Sequence, residues 1–168
     1  HILFFLATLA TTTFYGALHH NVNLFQEPWK FYQGFPFSLT LLAILGTHEF
    51  GHYWMARYHG VPVTLPYFIP APSLIGTFGA FIRIKDIVPN RGALFDIGVA
   101  GPIAGFAVAV PAIILGITLS DVRPATELSG IGLGSSLLFN GLVQVFLGVT
   151  PQTYDVILHP IAFAGWIG

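Results

Sequence analysis

The stretch that decides the fold is Phe35–Tyr58, FPFSLTLLAILGTHEFGHYWMARY, where a mostly apolar run leads into His48, Glu49 and His52. It has 24 residues, and about 20 are enough to cross a bilayer as a helix. Because a helix rises about 1.5 Å per residue, His48 lies roughly 20 Å beyond Phe35. At mid-membrane each ionisable side chain costs about 2.5–3.5 kcal/mol. A spanning helix does not need them, so the cluster predicts a functional site.

The spacing of the three residues indicates a metal site. His48 and His52 are four residues apart, so on a helix they share one face and can hold one ion. Glu49 lies about 100° round the helix, close enough to act as a base on a water at that ion. Gly51 is unfavourable inside a helix, which favours the close approach of another segment there. We predict zinc held by His48 and His52, with Glu49 as the catalytic residue.

Two motifs together carry a family resemblance. HEFGH late in an apolar helix is followed by GTFGAFIRIKDIVPNRGALFDIGVAGPIAG, from Gly76 to Gly105. This pair resembles the site-2 protease family of intramembrane zinc metalloproteases, in particular the branch typical of cyanobacteria and chloroplasts. HPIAFAGWIG at the end is similar to the same branch, so the resemblance runs from about Phe35 to Gly168.

The resemblance implies a zinc endopeptidase that hydrolyses peptide bonds in or near transmembrane segments of other membrane proteins. It also implies a third zinc ligand, an Asp in an N-x-x-P…D-G motif on the helix that follows HPIAFAGWIG. That motif does not occur in these residues: no glycine follows any of the four aspartates, Asp86, Asp96, Asp121 and Asp155. We therefore expect the Asp-Gly beyond Gly168, and an incomplete metal site in residues 1–168.

Composition independently indicates a membrane protein. The chain is 54% apolar and 8% charged, with a mean hydropathy of +0.75, whereas soluble domains carry about 25% charged residues. A net charge of −1 gives no indication of nucleic-acid binding, and the absence of cysteine excludes disulfides and thiolate chemistry. We expect a single membrane-embedded core domain over residues 1–168, incomplete at both ends.

The predicted fold class is an all-α polytopic membrane protein with about four transmembrane helices. The apolar runs that predict them are His1–Leu18, Phe35–Tyr58, Leu94–Leu119 and the run that begins at Leu158. Ile131–Val149, with its polar stripe at Ser136, Asn140 and Gln144, favours an interfacial or re-entrant helix.

A small membrane-associated β-hairpin is predicted between the second and third helices. Val61–Asn90 contains five prolines, which exclude a spanning helix, and Gly76–Ile84 has strand-forming residues with glycines. An exposed strand edge there would suit capture of an extended substrate peptide. A purely structural hairpin is the alternative.

Other candidate ligands have structural interpretations. His59 lies about 10 Å beyond His52 along the helix, too far to share an ion. Asp96 near the start of the third helix is interpreted as an N-terminal cap or dipole partner. The remaining weaker candidates are His19 and His20 in a connector, Glu127 in the predicted loop Ser120–Ser129, and His159 before the last apolar run.

Basic residues predict the orientation in the membrane. Arg57, Arg83, Lys85 and Arg91 lie between the second and third spans, whereas only Lys30 and Arg123 lie on the other side. The positive-inside rule therefore makes the first side cytoplasmic or its equivalent, with HEFGH nearer to it. The predicted location is a multi-pass protein of the plasma membrane, or of a thylakoid or chloroplast membrane in a plastid.

Two other functions are compatible with parts of the pattern. His48-x-x-x-His52 also fits one histidine box of a membrane di-iron oxygenase, although such a site needs several boxes and the other histidines are scattered. A catalytically inactive family member could act as a membrane scaffold. Metal analysis separates iron from zinc, and a cleavage assay separates a protease from a scaffold.

Overall fold

The described part of the chain is mostly helical, with two small antiparallel sheets. The computed structural model describes residues 1–20, 22–124, 137–148 and 154–168. Within these residues the helices are α1 (Ile2–His19), α2 (Phe35–Tyr58), α3 (Arg91–Thr118), α4 (Leu137–Leu147) and α5 (Pro160–Ile167), and a 3-10 helix, Pro28–Gly34, precedes α2. The strands are β1 (Tyr67–Pro70), β2 (Thr77–Phe81), β3 (Asp121–Pro124) and β4 (Tyr154–Ile157).

Helix α2 lies at the centre of the helical packing. Its most extensive interface is with α3, and α5 packs against both of these helices. Phe37 and Leu41 of α2 are buried against Ala164 of α5, while Ile117 of α3 is buried against Ala162. The helix that carries HEFGH is therefore held on several sides by other parts of the chain.

Hydroxyl groups fill the contact between α1 and α2. Thr8, Thr12, Thr13 and Ser38 are all fully buried. The Thr12 and Ser38 hydroxyl oxygens lie 2.5 Å apart, and Thr8 Oγ1 donates to the Phe4 carbonyl of its own helix at 2.8 Å. Among the described residues no buried side-chain nitrogen or oxygen lacks a hydrogen-bond partner. This contact is therefore polar but fully satisfied.

The predicted hairpin between α2 and α3 is present. Strands β1 and β2 pair antiparallel, with Tyr67 opposite Phe81 and a register shift between Phe68 and Pro70. The connection between them passes through Gly76, whose φ of +79° is unfavourable for residues with a side chain. Thr11 Oγ1 donates to the Gly76 carbonyl at 2.6 Å, which ties this turn to α1.

Two described helices are long and apolar enough to cross a membrane, namely Ile2–His19 and Arg91–Thr118. Helix α2 has sufficient length at 24 residues, but its three ionisable residues at 48, 49 and 52 lower its mean hydropathy. Helix α5 has eight residues, too few to span. About four membrane spans were predicted from the sequence. Length and composition identify two of them among the described helices.

The all-α prediction is wrong in one detail, because a second sheet joins the segments that flank α4. Strand β3 pairs antiparallel with β4, with Asp121 opposite Ile157. The first four residues after Ser120 are therefore strand, where a loop was predicted, while the rest of that predicted loop, including Glu127, lies outside the described residues. Helix α4 lies within the predicted Ile131–Val149 helix, and Ser136 also lies outside the described residues.

The helix starts correct one prediction and confirm another. Asn90, not Asp96, caps α3, since its side-chain oxygen accepts from the Ala93 N–H at 2.8 Å. The cap belongs to Asn90 because it immediately precedes the helix, whereas Asp96 lies well inside it. The apolar run predicted to begin at Leu158 contains α5, with Pro160 in its first turn, and His159 Nδ1 accepts from the Ile161 N–H at 3.3 Å.

Candidate metal centre

The three residues of the predicted site come together on α2. His48, Glu49 and His52 each offer a ligand atom, and these atoms all lie within 4.8 Å of one another. The Nε2 atoms of His48 and His52 are 3.0 Å apart, and the two rings meet at 74°. This convergence follows from the spacing of four residues on a helix, which places both side chains on one face.

The orientation of His52 is set by a backbone group of α3. His52 Nδ1 lies 2.6 Å from the carbonyl oxygen of Ile97. A carbonyl can only accept, so His52 donates its Nδ1–H, and its Nε2 is left with a free lone pair. Histidine ligands of metals are commonly held in this way by a carbonyl or carboxylate at the other ring nitrogen.

A seam of small residues on α3, which includes Gly101 and Gly105, closes the site from one side. A Cβ atom added to Gly101 would overlap the His52 ring at Nε2, and one added to Gly105 would lie 3.2 Å from His48 Nδ1. On the opposing helix, a Cβ at Gly51 would lie 2.5 Å from the Ala100 carbonyl oxygen. The close approach predicted from Gly51 is thus present, and the approaching segment is the GPIAG stretch of α3 with its neighbour Ala100.

Glu49 is the most enclosed member of the cluster. Its side chain is 8% exposed, whereas both histidines are half-buried. The backbone N–H of Ile82, just after β2, lies near its carboxyl group. The hairpin therefore lies beside the residue predicted to act as the base.

These donors fit a zinc ion. Two nitrogens that bind one zinc at about 2.0–2.1 Å in tetrahedral geometry lie about 3.3 Å apart, close to the 3.0 Å between the two Nε2 atoms. The neutral His52 tautomer directs a lone pair towards the same point. His48 and His52 can therefore hold the ion, with Glu49 beside it.

The other candidate ligands lie elsewhere in the described chain. His59 Nε2 pairs with Asp96 Oδ2 at 2.9 Å, and His19 Nε2 lies 2.8 Å from the Leu74 carbonyl oxygen. His159 caps α5, where burial lowers its pKa and the nearby His20 lowers it further. Within the described residues, the group that can hold a metal consists only of His48, Glu49 and His52.

Two groups that shape the site had no signal in the sequence. The Ile97 carbonyl and the Ile82 N–H act through the main chain, so residue type does not reveal them. The glycines of GPIAG were the available clue that a helix backbone approaches HEFGH. They did not show which carbonyl would reach His52.

The helix-borne H-E-x-x-H pair enclosed by apolar helices defines a metallopeptidase-type site in a membrane-associated protein. Residues 36–168 match the model of peptidase family M50. The chain belongs to this family, which confirms the site-2 protease resemblance.

Curated relatives of the chain are named as probable zinc metalloproteases. The chain is 36% identical over 138 residues to "Probable zinc metalloprotease EGY1, chloroplastic" of Arabidopsis thaliana, a match that covers 79% of this chain and 25% of that protein. It is 34% identical over 139 residues to the EGY1 protein of Oryza sativa subsp. japonica, covering 79% and 24%. For "Probable zinc metalloprotease EGY2, chloroplastic" of Oryza sativa subsp. indica the figures are 34% over 139 residues, covering 78% and 24%.

The matched region is about a quarter of the length of these relatives. No solved structure matches the chain. The comparisons therefore establish the family, and the geometry of the site rests on the contacts described above.

Proposed function

We propose that this chain is the core of an intramembrane zinc endopeptidase that hydrolyses peptide bonds in or near transmembrane segments of other membrane proteins. The observation that carries the proposal is the 3.0 Å approach of His48 Nε2 and His52 Nε2 beside the enclosed Glu49. Membership of peptidase family M50 supports the reaction class.

Each residue has a separate task in this proposal. When bound, zinc supplies Lewis-acid polarisation of the scissile carbonyl and lowers the pKa of a water. His48 and His52 would hold the ion as neutral imidazoles, and the Ile97 carbonyl would keep His52 in the required tautomer. Glu49 accepts the proton of the attacking water and passes it to the leaving amine.

A third protein ligand is needed to complete such a site. We propose that it is the Asp of an Asp-Gly motif beyond Gly168, as the family resemblance implies. In support, no other Asp, Glu or His of the described residues joins the cluster on α2. Residues 1–168 alone would then bind zinc weakly and would not cleave substrates.

The bilayer is the second proposed partner. In addition to α1 and α3, we propose that α2 crosses the membrane, and that α5 begins a fourth span. Large apolar side chains project from the surface of these helices and would contact lipid; they include Leu3, Leu39, Leu94, Phe106 and Leu115, each more than half exposed. The residues together would form one membrane-embedded core domain.

The proposed orientation follows the basic residues. Arg57, Arg83, Lys85 and Arg91 all lie between α2 and α3, on the side of the membrane towards which the end of α2 points. This side would be the cytoplasm, or the equivalent compartment if the protein lies in a plastid. The curated relatives are named as chloroplastic, which favours a chloroplast or thylakoid membrane as one location.

The hairpin would guide the substrate. Among the described residues, strand β2 is paired along one edge only, with β1, and the residue that follows it, Ile82, lies near Glu49. A peptide added along the other edge of β2 would lie extended, with its carbonyls open to attack near the base. Phe78 on β2 is 73% exposed and could contact such a peptide.

The test is the replacement of Glu49 by Gln in the longest available form of the protein. We expect zinc to be retained and cleavage of co-expressed, tagged single-span proteins to fall by about 10²–10⁴-fold. Glu27→Gln is the matched control, because Glu27 pairs with Lys30 on an exposed surface. Cleavage by Glu49→Gln near the wild-type rate would end the assignment of Glu49 as base.

A wild-type protein that binds zinc yet cleaves nothing in the same panel would favour the scaffold instead. Iron in place of zinc in the purified protein would favour the oxygenase. The match to peptidase family M50 already argues against the oxygenase.

A further inference from the structure

A side-chain hydrogen bond joins the end of α2 to the beginning of α3, outside the metal cluster. His59 Nε2 and Asp96 Oδ2 lie 2.9 Å apart, although the residues are 37 positions apart in the chain. The His59 side chain is 22% exposed and that of Asp96 is 47% exposed. Neither residue has a role in the proposed reaction, and the cap of α3 is Asn90.

The pair lies next to the group that orients His52. Asp96 directly precedes Ile97, whose carbonyl oxygen accepts from His52 Nδ1 at 2.6 Å. Residue 59 follows residue 52 by seven positions, about two turns of one helix, so both contacts lie on roughly the same face of α2. The two helices are thus joined twice within a short distance, once through side chains and once through the carbonyl.

The packing around the Ile97 side chain is apolar. Ile97 is buried among Ala56 of α2 and Val61 and Val63, which follow that helix. Such contacts are non-directional, so they do not select one ring nitrogen of His52 for the Ile97 carbonyl. A directional link between α2 and α3 adds a constraint that holds the Ile97 carbonyl opposite one ring nitrogen.

We propose that His59 and Asp96 are positioning residues for the metal site. Their hydrogen bond holds α3 at the register where the Ile97 carbonyl meets His52 Nδ1, which keeps His52 Nε2 available to the metal. An exposed pair of this kind adds little to the overall stability, so its effect is on the geometry of His52. The inference rests on the proposed function only for the use made of the metal.

The first test determines the tautomer of His52 directly, in metal-free protein in detergent. Nitrogen NMR of isotope-labelled histidine distinguishes the Nδ1–H from the Nε2–H tautomer. We expect one Nδ1–H tautomer at His52 in the wild type and a mixture in Asp96→Ala. Asp96→Asn, which keeps an oxygen that can accept from His59, should restore the wild-type spectrum. Glu27→Gln, which breaks a comparably exposed pair far along the chain, should leave the spectrum unchanged.

The second test is zinc affinity by competition with a chromophoric chelator. Loss of a group that hydrogen-bonds a metal ligand weakens metal binding by about 10–100-fold. His59 and Asp96 act on His52 only through the Ile97 carbonyl, so their loss should weaken zinc binding by about tenfold, the lower end of this range. His59→Ala and Asp96→Ala should each cause this loss, and the double variant should cause no more than either alone. If Asp96→Ala does not fold, Asp96→Ser removes the same carboxylate and decides the matter in the same way.

An unchanged His52 tautomer and zinc affinity in folded Asp96→Ala would overturn the proposal. Failure of the positioning role can be distinguished from failure of the proposed catalytic function. A tautomer change in Asp96→Ala together with undiminished cleavage by Glu49→Gln would refute the proposed catalytic role and leave the positioning role intact.

Discussion

The glycine seam of α3 allows a graded test of how closely the site is packed. Gly98, Gly101 and Gly105 lie on one helix, yet a Cβ added to each meets a different environment. At Gly98 there is no atom within 4 Å, and at Gly105 the nearest atoms of His48 are 3.2 Å away. At Gly101 the new carbon would overlap the His52 ring, at the nitrogen that faces the metal.

The magnitudes follow from two opposing effects. Replacement of glycine by alanine inside a helix contributes about 0.8–1.0 kcal/mol, which Gly98→Ala should retain in full. In Gly101→Ala an overpacking cost of about 1–3 kcal/mol opposes this gain, so the free energy of unfolding should fall by up to about 2 kcal/mol. Gly105→Ala should lie between them, since its neighbour needs to move only slightly.

Zinc binding should change more than stability does. The overlap at Gly101 involves the coordinating nitrogen itself, and ligands must be held within about 0.5 Å of their working position. We expect Gly101→Ala to lower zinc affinity by at least about 10–100-fold, Gly105→Ala by less, and Gly98→Ala not at all.

The assays are denaturant unfolding in detergent micelles and chelator competition for zinc, with all three variants measured in parallel. Gly98→Ala is the matched control, because it makes the same chemical change one turn of α3 away. Zinc affinity in Gly101→Ala equal to that of Gly98→Ala would refute the packing argument, whatever the two stabilities are.

Three further predictions concern other parts of the chain. Because burial lowers the pKa of His159, its neutral form is favoured on folding; its contribution is present above about pH 6.5 and is lost as the pH falls through the lowered pKa. In Lys30→Cys and Lys85→Cys, an impermeant thiol reagent applied to intact cells should label only the cysteine at 30, because the basic loop faces inward. Thr12→Val should lower the free energy of unfolding by about 0.6–1.7 kcal/mol, through loss of the contact with Ser38.

Each of these has a matched comparison. His159→Asn keeps a cap acceptor but does not titrate, so an identical loss of stability at low pH in that variant would count against the histidine. Labelling at 85 but not 30 would reverse the topology, and the chain contains no native cysteine to confuse the result. Thr47→Val removes a hydroxyl that bonds only within α2, so an equal effect there would show that the link to Ser38 contributes nothing.

The structural features that could be predicted from the sequence are those that depend on the spacing of residues close together in the chain. His48, Glu49 and His52 converge because a helix turns by a fixed angle per residue, and the hairpin could be predicted because prolines exclude a helix between α2 and α3. The pair of His59 with Asp96 and the second sheet join distant segments, which no local pattern specifies. The Ile97 carbonyl is common to all residue types, so only the three-dimensional structure reveals its contact with His52.

The buried hydroxyls of α1 have a consequence for how the protein is made. Thr8, Thr12 and Thr13 each donate to a carbonyl one turn earlier in their own helix, at 2.7–2.8 Å. An isolated α1 could therefore enter the lipid with these groups already satisfied, before any partner helix arrives. When α2 follows, Ser38 can bond to Thr12 without first stripping an exposed polar group of water. The same hydroxyls would thus permit separate insertion and later specify which faces of the two helices meet.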